Sequence, residues 1–99
     1  MRSVIPDFVN ELYRSANEVS KTSTFEHRRL VERAARMIAE QRIQLAATGN
    51  VVSMPSSVVA GLATILPQID DMPDPPMSHI LLECADEIRK LHVLCAKIE

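Results

Sequence analysis

In the last third of the chain, Met77, Leu81, Cys84, Ile88, Leu91, Cys95 and Ile98 recur at alternating intervals of four and three residues. That alternation is the heptad seam of an α-helix and does not fit a strand, whose side chains repeat every two residues. Leu82, Ala85, Val93 and Leu94 widen the apolar stripe beyond a bare seam, so this helix must be covered along most of its length. The spacing predicts a helix over 78–98 with Ser78 as its cap. Whatever covers it has to come from helices elsewhere in the chain or from another molecule.

Three further segments offer that cover. In PDFVNELYRSANEVS, Pro6 suits a first helical turn, Asp7 suits the positive end of the helix dipole, and Phe8, Val9, Leu12, Tyr13, Ala16 and Val19 share a face. A helix over 6–20 follows. Ser23 with Glu26 three residues on is a capping box, which starts a helix at Thr24. That helix runs to Ala47, where Gly49 in TGN supplies the left-handed stop. A weaker helix over 56–66 places Val58, Val59, Leu62, Ile65 and Leu66 together; Gly61 weakens it by about 1 kcal/mol relative to Ala. Pro67 should end it. Aromatic residues are confined to Phe8, Tyr13 and Phe25, so the core has to be aliphatic, which suits helix-on-helix packing. The expectation is an all-α fold. It is one domain over 1–99, a small bundle of three to four helices with a Pro/Asp-rich connector at 67–77.

Charge is unevenly placed. Residues 26–42 hold five basic and three acidic side chains, residues 70–99 hold three basic and seven acidic, and residues 43–69 hold none. Arg29, Arg33 and Arg36 fall in one helical sector with Glu40, and Arg28 stands beside it. This face is a candidate phosphate grip for a DNA-binding regulator. The interleaved acids and a net charge of −2 argue against nucleic acid, because a near-neutral chain gains little from counterion release. Glu32 with Arg36 and Arg36 with Glu40 should pair along the helix. Arg42 points into the apolar sector, so it either snorkels outward or meets a carboxylate from another chain.

Residues 27–38, HRRLVERAARMI, resemble part of the helix-rich TraM antiactivators, which silence a quorum-sensing regulator in rhizobia; His27, Arg28, Arg29, Leu30, Val31 and Glu32 carry the likeness. The resemblance covers about an eighth of the chain and implies a small regulatory protein that acts by binding another protein. The prolines at 67–76 interrupt the region where that family has one long C-terminal helix. No functional residue carries over.

Sites of chemistry do not assemble in the sequence. His92 and Cys95 share a helix face but make only two of the four ligands a structural zinc needs. Cys84 and Cys95 lie about 16 Å apart along one helix, too far for a disulfide. Asp70, Asp71 and Asp74 lack the alternation and glycine turn of a calcium loop. His79 should face solvent, and His27 should pack against a neighbouring helix. The reading is a protein without enzymatic activity, catalytic residues, cofactor or metal. The charge-free stretch is too interrupted by Gly, Ser and Pro to span a membrane. With no disulfide framework and no leader segment, the expected compartment is the cytoplasm.

What remains is a protein–protein interaction module, with an apolar surface made of the segment Val51–Ile69 and the exposed parts of the last helix. Its candidate contact residues are Leu62, Ile65, Leu66, Met77, Leu81, Ile88, Leu91, Leu94, Cys95 and Ile98. Helices of 21 to 24 residues reach about 30–36 Å, long for one small domain, which predicts a homodimer. A structural subunit of a phage or secretion assembly is the remaining alternative, and predicts higher oligomers.

Overall fold

The structure, a computed structural model, describes residues 4–49 and 54–97. Among these the chain is all-helical, with no strand. The elements are α1 (Val4–Asn17), a 3-10 turn (Val19–Lys21), α2 (Thr24–Ala47), α3 (Ser57–Ala60), α4 (Leu62–Ile65), a 3-10 segment (Leu66–Asp71) and α5 (Asp74–Lys97). Val51 and Val52, at the head of the apolar segment 51–69, and Ile98, at the end of the seam, lie outside the described residues.

The bounds of α2 are those its local signals predict. Ser23 Oγ accepts a hydrogen bond from the Glu26 amide at 3.2 Å, one of the donors a helix start leaves without a helical partner. At the other end Thr48 Oγ1 donates to the Leu45 carbonyl at 2.8 Å, and Gly49 takes φ +79°. A side chain at Gly49 would meet the left-handed steric penalty, although the space around it is open.

The first helix ends earlier than the pattern predicts. After Asn17 the chain tightens into a 3-10 turn, and Thr22 Oγ1 donates back to the Val19 carbonyl at 3.3 Å. A hydroxyl that satisfies a backbone group locally competes with further helix.

Three expectations for residues 56–78 are corrected. The single helix over 56–66 is divided at Gly61 into two four-residue helices, α3 and α4, with Ser56 capping the first through the Val59 amide at 3.2 Å. Pro67 does end the α-helix, whose last residue is Ile65, but the chain goes on coiling. Pro67 stands at the start of the 3-10 segment, where its missing N–H is not needed, and the segment buries Ile69 completely. The 67–77 connector therefore shrinks to Met72 and Pro73, because α5 begins at Asp74 with Pro75 and Pro76 inside its first turn. Ser78 is not a cap. Its Oγ donates at 2.8 Å to the Ala16 carbonyl near the C-terminal end of α1, pinning α5 to α1.

Helix α5 is the shared partner: α1 and α2 both pack on it, and α2 also receives the 3-10 segment. Met77, Leu81, Cys84, Ile88 and Leu91 are each 1% exposed or less. Phe8 and Leu12 from α1, and Val31 and Leu45 from α2, complete the deepest layer. Burying each such aliphatic side chain stabilises the fold by about 1.5–3 kcal/mol. The result is a slab of 40 × 31 × 16 Å, with α5 held inside it.

Candidate protein-binding surfaces

The seam residues do not form an outer surface. Leu62, Met77, Leu81, Ile88, Leu91 and Cys95 are buried in this chain's own core, and Ile65, Leu66 and Leu94 are partly buried against it. The physical reason is that α1 and α2 share α5 between them and leave little of its apolar arc uncovered. The charge-free segment is similarly occupied with its own chain: Val59, Leu62 and Ile69 are buried. Where it meets α2 it leaves a shallow depression of about 320 Å³, lined largely by small side chains such as Ala35, Ala39, Ala60 and Ala63.

The more developed surface lies between α1 and α5. A groove of about 440 Å³ is lined by Ile5, Pro6, Val9, Asn10 and Tyr13 of α1 and by Arg89, His92 and Val93 of α5. Its floor is aliphatic. Val9 is buried, while Val93 is 47% exposed at the lip. One wall is fixed by Tyr13, whose hydroxyl donates to Asp86 Oδ1 at 2.6 Å. That bond to a carboxylate, aided by partial burial, pushes the phenol above its ordinary value, with Arg89 nearby opposing the shift. The groove is thus an aliphatic channel with a guanidinium, an imidazole and an amide along it. Sequence reasoning missed it because its two walls are some 75 to 90 residues apart in the chain. The available signal was Val93, an apolar residue outside the heptad seam, together with Tyr13, whose amphipathic ring suits a half-wet position.

The arginine sector divides. Arg28 pairs with Asp70 at 2.8 Å, tying α2 to the 3-10 segment. Arg29, Leu30, Arg33 and Arg36 line a basin of about 310 Å³. The Arg33 guanidinium lies 4.3 Å from the centroid of the Phe8 ring, a cation–π contact that fixes its position. The helical pairs expected for Glu32 and Glu40 are not among the ion pairs of the described residues. Arg42 does meet a carboxylate, but within its own chain: its Nη2 is 2.6 Å from Glu87 Oε2. Lys90 Nζ reaches the other oxygen of Glu87 at 3.0 Å. Beside them Gln41 Nε2 donates to the Ile88 carbonyl at 3.3 Å, so this part of the α2–α5 contact is polar.

The two thiols and His27 are enclosed by the chain itself. Cys84 and Cys95 are free and buried. Burial pushes the Cys84 thiol up to about 12, with Glu83 adding to the shift, so the thiolate is not formed at neutral pH. His27 is buried and shares a hydrogen bond between its Nε2 and Thr22 Oγ1. Loss of hydration lowers its pKa, and Asp74, the Val19 backbone and Glu26 oppose that effect. His79 is exposed and 3.6 Å from Glu83. No three His, Cys, Asp or Glu side chains come together as a metal site among the described residues. No described helix is long and apolar enough to cross a membrane. Comparison with known protein families, curated proteins and solved structures found no match.

Proposed function

We propose that this chain is a small helical interaction module of the regulatory, antiactivator type, which receives a helix of another protein in the groove between α1 and α5. One observation carries the reading: the groove is an open aliphatic channel running between two helices, with Arg89 and His92 placed to hold a polar or acidic flank. A third helix laid there extends the packing already used between α1 and α5, and its apolar edge would cover Val93 and Ile5. The inward-facing Cys84 thiol supports a binding rather than a catalytic role.

Affinity capture with the full chain and with Val93→Asp tests it. Val93 is exposed, so the variant should keep its circular dichroism spectrum and lose the captured protein. Capture of the same proteins by both chains would remove the groove from consideration.

A homodimer is the second reading, and helix length favours it: α2 and α5, of 24 residues each, reach about 36 Å, long for one domain of this size. Sedimentation equilibrium at micromolar concentration decides it. The mass of one chain rejects the dimer, and a mass well above two chains favours the structural-subunit alternative.

A further inference from the structure

The basin on α2 has a composition that the groove does not explain. Its lining is Leu30 and three arginines, and no carboxylate of the described residues lies within ion-pair distance of those arginines. The other two arginines of α2, Arg28 and Arg42, are both engaged by acids of the same chain. Arg29, Arg33 and Arg36 follow one another at intervals of four and three residues, so their side chains leave one helix face over a span of about 10 Å. Arg33 is held over the Phe8 ring, which removes part of the side-chain freedom that binding would otherwise have to freeze.

We propose that this basin docks an acidic helix of a partner protein, through carboxylates spaced three or four residues apart. A helix offers charges at the same rise per residue as the one it meets, so carboxylates on one face of the partner stay in register with the three guanidiniums. Guanidinium is the cation that grips carboxylates in a two-point fork. The choice of a protein over a nucleic acid rests on what flanks the basin. Glu32 and Glu40 are exposed on the same helix. They repel a polyphosphate, but they can pair with the lysines and arginines that an acidic helix carries between its carboxylates.

The test uses the full chain and a fluorescein-labelled synthetic helix carrying glutamates at matching four-and-three intervals, read by fluorescence anisotropy. A peptide with glutamine at those positions and a short DNA duplex serve as competing probes. The glutamate peptide should bind at least tenfold more tightly than the glutamine peptide, and more tightly than the duplex. Arg29→Gln with Arg36→Gln, both exposed positions, should weaken it at least tenfold with the helical spectrum unchanged. Arg89→Gln, in the α1–α5 groove, should leave it unchanged, so failure here and failure of the groove are separate results. Equal binding of the two peptides overturns the proposal. So does an unaffected double variant, or tighter binding of the duplex.

Discussion

Single residues decide two properties of this fold. The first is the ion pair between Arg42 and Glu87. The Glu87 side chain is 6% exposed and that of Arg42 is 26% exposed, so both charges are largely withdrawn from water. Glu87→Ala removes the acceptor shared by Arg42 and Lys90, and should cost about 2 kcal/mol of stability after discounting for the part that solvent screens. Arg42→Met together with Glu87→Leu should recover most of that loss, since no isolated charge is then left inside. Urea denaturation of the single and double variants measures both. The second property is pH dependence through His27. Burial lowers its pKa in the folded state, so between its folded value and the ordinary value of about 6.5 the unfolded chain binds the extra proton. Its contribution is present above about pH 6.5 and is lost as pH falls through the folded pKa. His27→Gln should flatten the stability profile across that window, and an unchanged acid limb would show that other groups govern it. Neither partnership was legible in the sequence. Arg42 and Glu87 are 45 positions apart, and the polarity of His27's surroundings depends on how the turn at 19–22 closes over it.

At the scale of elements, legibility followed the range of the signal. The limits of α2 were readable because Ser23, Glu26 and Gly49 act within one helical turn of the backbone they terminate. Gly49→Ala should therefore cost about 1–2 kcal/mol, seen as a lower thermal midpoint, since only the left-handed conformation is at stake there. The prolines around 67–76 misled because proline forbids helix interiors and tolerates helix beginnings, and a short 3-10 segment followed by the first turn of α5 looks like one broken connector. Ser78 misled for a related reason: it has a cap's chemistry, but its oxygen serves the end of a different helix. Ser78→Ala should cost about 1 kcal/mol. Amide exchange near the C-terminal end of α1 should quicken more than in α2, which separates a pin between helices from a general loss of stability.

At the scale of the molecule, one helix is used by two neighbours, and that arrangement separates core from surface. Leu62 is 4% exposed and Val93 is 47% exposed, though both read as apolar helix residues in sequence. Leu62→Asp should unfold the chain and Val93→Asp should not, with circular dichroism against temperature as the measurement. Should Leu62→Asp retain a cooperative transition, the core assignment around α4 fails. Helix class, the limits of α2, the aliphatic core and the seam of α5 were all determined by the sequence alone, because periodicity and capping act over a few residues and need no partner. Which side of each helix is finally hidden was decided only by the tertiary structure. Periodicity marks an apolar face but does not say whether the same chain or another molecule will cover it. Here α1 and α2 close over the seam, and what they leave open is the α1–α5 groove and the arginine basin.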